Sequence, residues 1–356
     1  MLHVSGGTTI KRGSSIPAPG TKMGSHSALS AEIKKHVSIP VATVGRITEP
    51  WLAEELLEND KADICMIGRA NLCEPEFCNK AQAGHEEDIR PCIGCLRCLN
   101  GIMFGKRVAC TVNPSLEPEN EDTITPAKET KNVLVIGGGP AGMEAAYVAA
   151  KRGHHVVLAD RQDSLGGTVR IAAVPIAKQD LTQLIKYQAH KLEQAGVKVL
   201  LNTEVTLETI QKDYPDYEVI LCAGATPVVP QFMTQFKDWM MQTTSLRKKF
   251  PGRKIVVIGG GSVGCETADY LAPVLNDRFP RNREITLIEW HMRSWKQKWS
   301  GKKSACPEND GKRNPDSLRC KSGRSQSYRD QIYKRWKNSR DYRCRYTRSC
   351  NGVPSV

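Results

Sequence analysis

The sequence predicts an α/β protein built on parallel sheets, and three observations support this prediction. Two short apolar segments near the N-terminus each end in Gly-Arg and are each followed by a helical pattern. Four cysteines lie close together between these apolar segments and the rest of the chain. Two glycine-rich loops each follow an apolar, β-branched segment and open a helical pattern, which is typical of nucleotide-binding α/β units.

The composition excludes several classes of protein. The chain has 356 residues, of which 40% are hydrophobic, and its mean hydropathy is −0.42. No apolar segment approaches the roughly 20 residues that a membrane helix needs, and the first residues lack the apolar core of a signal peptide. We therefore expect a cytoplasmic protein with no membrane partner, whose grouped cysteines are metal or cluster ligands rather than disulfides.

The net charge of +13 comes from one end of the chain. Residues 291–356 contain 18 Lys and Arg, 5 Asp and Glu, and only four Ile, Leu or Val. Such a segment buries too little apolar surface to offset its ordering entropy, so we expect a basic tail that is disordered or frameshifted. The tail has no nucleic-acid-binding motif, and we expect no specific nucleic-acid partner; non-specific binding of nucleic acid by the tail is kept as the second alternative function.

Residues 1–88 are predicted to alternate strand and helix. The segments Ile39–Val44 and Ala62–Ile67 are predicted strands. A helix with Thr48 as its N-cap follows the first strand, and a helical pattern over Glu74–Ala83 follows the second. Two such units in tandem suggest the end of a (β/α)8 barrel. A whole barrel takes roughly 250 residues, so this region holds only the C-terminal piece of a TIM barrel.

Each of these predicted strands ends in a Gly-Arg pair, Gly45-Arg46 and Gly68-Arg69. The loops after the last two strands of a TIM barrel often bind a phosphate, which backbone N–H groups and a guanidinium can hold. The alternative is that both pairs are ordinary strand ends with solvated arginines. The spacing alone does not decide between these two interpretations.

The segment 89–116 carries four cysteines, Cys92, Cys95, Cys98 and Cys110, with the spacing C-x2-C-x2-C-x11-C. Structural zinc sites more often use two separated C-x2-C pairs. Three cysteines in one run with a fourth nearby favour a [4Fe–4S] cluster. Zinc and unliganded thiols are kept as weaker alternatives.

The rest of the chain is predicted to hold two incomplete Rossmann-like domains. The predicted boundaries are a polar linker over 117–131, the first part of an FAD-binding domain over 132–250, a truncated NAD(P)-binding domain over 251–290 and the tail over 291–356. Two further glycines, Gly167 and Gly224, lie in predicted loops that fit either a close approach to a nucleotide or ordinary turns.

The first glycine-rich loop has the pattern G-x-G-x-x-G, formed by Gly137, Gly139 and Gly142. These residues permit a tight turn, a close approach of the backbone to a pyrophosphate and close packing of helix on strand. The N-terminus of the helix adds its positive dipole end. Asp160 ends the next predicted strand 23 residues after Gly137, where a carboxylate can accept the ribose hydroxyls. The sequence therefore predicts a dinucleotide site here.

The second loop repeats this pattern with Gly259, Gly261 and Gly264, and Glu289 ends the following strand. A glutamate at this position repels a 2′-phosphate, which favours NADH over NADPH. Two such folds most simply bind a flavin and a nicotinamide nucleotide. The alternative is a degenerate second fold that binds nothing.

The chain resembles the trimethylamine dehydrogenase/2,4-dienoyl-CoA reductase family of NADH:flavin oxidoreductases, which are related to old yellow enzyme. The resemblance rests on the ordered segments HVSIPVATVGRI, DICMIGRANL, IRPCIGCLRC, CTVNP, VLVIGGGPAGMEAA, DSLGG and VIGGGSVGCETA. It runs from about residue 1 to Glu289. It implies an FMN-bearing barrel, a [4Fe–4S] cluster and an FAD/NAD(P) module.

The resemblance also implies roles for the residues that match the family's motifs. These are Arg46, Gly68 and Arg69 at the FMN phosphate, Cys92, Cys95, Cys98 and Cys110 at the cluster, Gly137, Gly139, Gly142 and Asp160 at the adenosine part of FAD, and Gly259, Gly261, Gly264 and Glu289 at NADH.

In the intact family, the resemblance implies electron transfer from NADH to FAD, to the [4Fe–4S] cluster, to FMN and finally to the activated C=C bond of a small enoate or enoyl-CoA-type substrate. The barrel strands that carry the family's catalytic acid have no counterpart here, so no catalytic residue is assigned. No Gly-Asp pair follows residue 290. We therefore expect a fragment with a frameshift near codon 290, inactive as it stands. A homo-oligomer stays open, and the first alternative function is an electron-input subunit with FAD, NAD(P)H and an Fe–S cluster.

Overall fold

The structure is a computed structural model that describes residues 1–7, 15–116, 124–229, 251–272 and 284–288. The chain divides into two compact units, with the boundary between Arg247 and Lys248. Glu289, the tail 291–356 and residues 117–123 of the predicted linker lie outside the described residues. No helix within the described ranges has both the length and the apolar character needed to span a membrane.

The N-terminal part of the first unit is a small parallel sheet with helices. Its elements are β1 (Leu2–Val4), α1 (Ser27–Lys34), β2 (Val41–Thr43), α2 (Pro50–Glu58), β3 (Ile64–Cys65), α3 (Arg69–Cys73) and α4 (Phe77–Gln82). The strand order is β1-β2-β3, with Leu2 opposite Val41 and Ala42 opposite Ile64. Val41 and Ala42 are fully buried because β2 is the central strand.

The two predicted strands of this region are confirmed in shorter form, but the predicted N-cap is wrong. Helix α2 begins at Pro50, and the N-cap position is Glu49, which makes no side-chain capping bond. The Thr48 hydroxyl lies 3.3 Å from the Met23 sulfur instead. The helix starts one residue later than expected because proline, which has no N–H to leave unpaired, is well suited to the first helical position. The second helical pattern likewise forms a helix only from Phe77, since Glu74 ends α3.

The cysteine-containing segment has little regular structure. A 3-10 helix over Glu86–Asp88 precedes it, and the segment itself contains α5 (Arg97–Met103) and ends in a 3-10 helix over Pro114–Leu116.

The rest of the first unit is a Rossmann-like sheet. Its elements are β4 (Asn132–Ile136), α6 (Pro140–Lys151), β5 (His155–Ala159), α7 (Val169–Ala172), a 3-10 helix over Ile176–Lys178, α8 (Leu181–Gln194), β6 (Lys198–Leu200), α9 (Leu207–Asp213) and β7 (Tyr217–Leu221). All four strands are parallel, in the order β6-β5-β4-β7. Leu134, Leu158, Met143 and Leu192 are buried between sheet and helices. The predicted strand–helix–strand unit is confirmed.

Helix α8 of this sheet lies against the 3-10 helix that precedes the cysteines. The Asp88 carboxylate accepts hydrogen bonds from His190 Nε2 at 3.1 Å, Lys191 Nζ at 3.2 Å and Gln194 Nε2 at 2.8 Å. These three residues share one face of the helix. The helix is therefore anchored to the start of the cysteine segment.

The described part of the second unit is one strand–helix–strand element. It consists of β8 (Lys254–Ile258), α10 (Ser262–Leu271) and β9 (Glu284–Ile288), and the two strands are parallel with Lys254 opposite Glu284. Val257, Ala268, Leu271 and Ile285 are buried between the strands and the helix. This is the second strand–helix–strand pattern that the sequence predicts.

Candidate functional site

The four cysteines of the predicted cluster motif line one cavity. Cys92 and Cys95 precede α5, Cys98 lies in its first turn and Cys110 follows it in extended chain. Leu96 adopts a left-handed conformation (φ +62°) as the N-cap of α5, which turns the chain sharply within the motif. Among the residues that the structure describes, no three His, Cys, Asp or Glu side chains are arranged around the position of a single metal ion.

The thiols that line this cavity differ in acidity. Burial raises the pKa of Cys92 and of Cys98. A hydrogen bond with the Cys73 side chain, aided by two backbone N–H groups, lowers the pKa of Cys110 to about 6. Cys110 is therefore a thiolate at neutral pH, the form in which cysteine binds metals.

Cys73 is a fifth cysteine at this site, and the motif spacing does not reveal it. It is fully buried at the end of α3, and its sulfur lies 3.3 Å from the carbonyl oxygen of Arg90. Its hydrogen bond with Cys110, together with burial, raises its pKa. Cys73 ends α3 and precedes Cys92 by 19 residues, so no sequence pattern connects the two.

A polar clamp joins the two ends of the cysteine segment. Arg90 stands two residues before Cys92, and Asn113 stands three residues after Cys110. Arg90 Nη1 donates to Asn113 Oδ1 at 2.6 Å, and Asn113 Nδ2 donates to the carbonyl oxygen of Leu72 at 3.0 Å. Asn113 is only 2% exposed, so these bonds replace those that water would otherwise make.

The first Gly-Arg pair lies in a tight turn after β2. Gly45 has φ +127°, and a Cβ at this position would lie 2.6 Å from Ser25 Oγ, so no other residue fits without a shift. The Arg46 side chain is 6% exposed, and its Nη atoms donate to the Thr21 carbonyl oxygen and to the Asp180 carboxylate. Arg46 Nε is buried and has no hydrogen-bond partner among the residues that the structure describes.

The second Gly-Arg pair begins α3. Gly68 is the N-cap of this helix, and Arg69, its first residue, lines the cysteine cavity. The positive charge of Arg69 acts on Cys92 and Cys98. In the described part of the chain, Arg69 Nη1 is buried without a hydrogen-bond partner. Both arginines therefore carry one buried N–H donor that an anionic ligand could satisfy.

The first glycine-rich loop connects β4 to α6. A Cβ on Gly142 would lie 1.8 Å from the Gly137 carbonyl oxygen, so the first turn of the helix touches the loop directly. A Cβ on Gly139, the N-cap of α6, would meet no atom within 4 Å. Asp160 is 8% exposed and accepts the Gly138 N–H at 2.5 Å. The loop, the helix N-terminus and the carboxylate are therefore brought together, as the sequence predicts.

The two further predicted glycines lie at the same end of the sheet. A Cβ on Gly167 would lie 3.1 Å from Gly139 Cα, so Gly167 packs against the glycine-rich loop. Gly224 follows β7, the strand that pairs with β4. The end of β7 also closes on the loop, because a Cβ on Gly137 would lie 2.3 Å from the Cys222 carbonyl oxygen.

A cavity of about 440 Å³ separates this loop from the cysteines. Pro140, Ala141 and Glu144 of α6 form part of its wall, and Cys110 and Thr111 form another part. Arg97, Cys110, Thr111 and Val112 line both this cavity and the cysteine cavity. The two cavities are therefore neighbours with a common wall, an arrangement that the sequence did not predict.

The second unit repeats the geometry of the first loop. Gly259 follows β8 and Gly261 is the N-cap of α10. A Cβ on Gly264 would lie 1.7 Å from the Gly259 carbonyl oxygen, and one on Gly261 would meet nothing within 4 Å. Glu289, the predicted selector of NADH, lies outside the described residues.

Two family models match the chain. The model described as NADH:flavin oxidoreductase / NADH oxidase family matches residues 11–88, and the model described as pyridine nucleotide-disulphide oxidoreductase matches residues 131–297.

Curated proteins are similar to most of the chain. An NADH oxidase of Thermoanaerobacter brockii is 38% identical over 301 residues, which are 81% of this chain and 44% of that protein. A cinnamate reductase of Clostridium sporogenes is 34% identical over 276 residues, or 77% of this chain and 40% of that protein. The chain thus spans less than half the length of these relatives.

A solved structure has a similar fold. A 2-naphthoyl-CoA reductase in complex with 2-naphthoyl-CoA has 29% identity and a TM-score of 0.70, with 76% of this chain and 41% of that chain covered. The comparison supports an α/β fold in which a barrel-type flavin oxidoreductase region precedes a pyridine-nucleotide region.

Proposed function

The chain belongs to the NADH:flavin oxidoreductase family related to old yellow enzyme, and from this premise we propose that it takes part in reducing activated C=C bonds with electrons that pass from NADH through a flavin. A cinnamate reductase and a naphthoyl-CoA reductase are among its relatives, which supports a small unsaturated acid or its CoA thioester as substrate. The observation that carries the proposal is the common wall between the cysteine cavity and the cavity beside the first nucleotide loop.

The donor set at the cysteines suits a [4Fe–4S] cluster. Four thiol groups face one cavity, one of them a thiolate at neutral pH, and Arg69 supplies a positive charge beside them. Thiolates in this number are the ligands of such clusters. When bound, the cluster transfers single electrons between flavins that exchange hydride as electron pairs. Cys110 and Thr111 would form the partition between the cluster and a flavin in the neighbouring cavity.

The first glycine-rich loop suits the diphosphate of FAD. The N-cap of α6 is Gly139, which has no side chain to cap the helix, so a bound anion can accept from the N–H groups of the first turn. The open space at Gly139 allows a phosphate to approach the backbone, and Asp160 stands beside the loop to meet the ribose hydroxyls. The corresponding loop of the second unit would hold NADH through Gly259, Gly261 and Gly264.

The Gly-Arg loops suit the phosphate of FMN. Arg46 Nε and Arg69 Nη1 are buried donors that have no partner within the described ranges, and a buried unsatisfied donor costs about 1–3 kcal/mol. A bound oxyanion would satisfy such donors.

Cofactor analysis of the whole chain tests the proposal. After anaerobic purification and reconstitution with iron and sulfide, we expect about four irons per chain, a broad absorbance band near 400 nm, and bound FAD and FMN. NADH should bleach the flavin and cluster bands. A Cys110→Ala variant should lose iron, whereas Cys78→Ala, which removes an exposed cysteine outside the motif, should retain it.

Two outcomes would contradict the proposal. Stoichiometric zinc without colour would replace the cluster by a structural metal site. Iron and FAD without any FMN binding would favour the electron-input subunit, which uses FAD, NAD(P)H and an Fe–S cluster to reduce another protein.

A further inference from the structure

The Cys110 sulfur, one of the four candidate ligands, is held by hydrogen bonds from the backbone. It accepts hydrogen bonds from the backbone N–H groups of Val112 and Asn113, in the short turn that follows it. Such N–H···S bonds withdraw electron density from a ligand sulfur and favour the more negative, reduced state of a bound cluster. The strength of these bonds depends on how firmly the turn is held.

The Asn113 side chain holds this turn from three sides. Its Oδ1 accepts from Arg90 Nη1 at 2.6 Å and from the Ser115 backbone N–H at 3.1 Å, while its Nδ2 donates to the Leu72 carbonyl oxygen at 3.0 Å. The side chain is 2% exposed, so water does not compete for these bonds. A satisfied buried amide of this kind allows the turn one conformation.

Arg90, the partner of Asn113, is itself fixed in place. Its backbone N–H donates to Glu74 Oε2 at 3.3 Å, and its guanidinium also bonds the Tyr187 side chain on α8. Its Nη1 lies 3.5 Å from the Cys73 carbonyl oxygen. The positive charge of this buried guanidinium therefore stays close to Cys110.

We propose that Asn113 is a positioning residue which, held by Arg90, directs the backbone N–H groups of its turn at the Cys110 sulfur and thereby raises the reduction potential of the cluster. The inference rests on the proposed function, since it requires that the four cysteines bind the cluster. It assigns Asn113 a role in electron transfer without contact between its side chain and the cluster.

The test is a potentiometric titration of the reconstituted whole chain, followed by the EPR signal of the reduced cluster. We expect Asn113→Ala to shift the midpoint potential to more negative values while iron content and far-UV circular dichroism stay unchanged. In D2O, pulsed EPR should show that the variant has lost an exchangeable proton coupled to the cluster. Asn79→Ala is the matched control, because the exposed Asn79 side chain donates to the Glu76 carboxylate, away from the cysteine segment; its potential should equal that of the unsubstituted chain.

A second variant separates the effect of the orientation of Asn113 from the effect of the positive charge of Arg90. Arg90→Lys keeps the positive charge but loses the planar fork that orients Asn113. It should shift the potential in the same direction as Asn113→Ala, and it decides the matter if the alanine variant does not fold. An unshifted potential in Arg90→Lys, with iron retained, overturns the inference and leaves the cluster proposal standing. Failure of the unsubstituted chain to bind a cluster overturns both.

Discussion

At the scale of single residues, Gly139 and Gly142 belong to one motif but are constrained by different contacts. A side chain at Gly142 would collide with the backbone of Gly137, whereas one at Gly139 would enter open space. The motif therefore combines a residue that the fold requires with a residue that a ligand requires. Sequence alone predicts both glycines, but only the structure separates the two reasons.

We predict that alanine substitution separates these roles. Gly142→Ala should lower the free energy of unfolding by about 1–3 kcal/mol, because helix and loop must move apart, and should abolish FAD binding. Gly139→Ala should leave the unfolding free energy nearly unchanged and still weaken FAD binding. Urea unfolding and flavin fluorescence titration measure the two effects. Equal destabilisation by both substitutions would contradict this division.

The thiols of the cysteine cavity give a second prediction at this scale. In the metal-free chain, Cys110 should react with iodoacetamide with a half-maximal rate near pH 6, because its lowered pKa makes the thiolate available there. Cys92 and Cys98, whose pKa values are raised by burial, should require alkaline pH. Mass spectrometry of labelled peptides reads out each site.

The Cys73 hydrogen bond explains this order of reactivity. Cys73→Ala should move the labelling profile of Cys110 to higher pH, because the main cause of its lowered pKa is removed. Cys78→Ala serves as the control and should not move it. A profile for Cys110 that coincides with those of Cys92 and Cys98 in the unsubstituted chain would contradict the assignment.

At the scale of elements, local signals allowed some predictions and not others. β4, α6 and β5 follow from the sequence because a β-branched segment, a glycine loop and an apolar helix stripe are adjacent in the chain. β1 and β6 were missed: both have three residues, and neither is followed by the Gly-Arg pair that ends the predicted strands β2 and β3 or by the G-x-G-x-x-G pattern that follows β4. The contacts of Asp88 with α8 bridge about a hundred residues, and no local pattern contains them.

The anchor between Asp88 and α8 yields a prediction with a pH dependence. Burial alone would raise the pKa of Asp88, but Lys191, Gln194 and His190 together lower it. The ionised carboxylate therefore stabilises the fold above the unfolded pKa of about 4, and this contribution is lost as the pH falls through the folded pKa. Asp88→Asn should cost about 0.5–1 kcal/mol at pH 7.

Urea unfolding across pH measures this contribution. The difference between Asp88→Asn and the unsubstituted chain should shrink as the pH falls below about 4. Glu218→Gln, which removes an exposed ion pair with Lys131, should leave the free energy of unfolding unchanged across the same pH range. A cost for Asp88→Asn that is constant across pH would contradict the electrostatic explanation.

At the scale of the whole molecule, the chain carries the same glycine-loop geometry in each of its two units. In both, the third glycine of the motif touches the first, and a Cβ on the middle glycine would meet none of the described residues within 4 Å. The sequence predicts this repetition because the motif is local. It does not predict the clamp of Arg90 and Asn113 or the common wall of the two cavities, which depend on residues far apart in the chain.

We predict that the two loops act on different nucleotides. Gly264→Ala should abolish NADH binding, because its Cβ would collide with the Gly259 carbonyl oxygen, while FAD and iron content stay unchanged. Gly142→Ala should remove FAD. Nucleotide titration and cofactor quantitation on the same preparations distinguish the two variants. Loss of FAD in Gly264→Ala would show that the loops do not act separately.

Helix α8 is 14 residues long, about 21 Å at the usual rise per residue. It is bonded to Arg90 in the cysteine segment and to Asp88 just before that segment. Because α8 is bonded at two positions, its distance from the cysteine segment stays the same when the surrounding loops move. Under the proposed function, α8 would therefore set the distance between the flavin and the cluster. The rate of electron transfer over this distance would accordingly respond little to solvent viscosity.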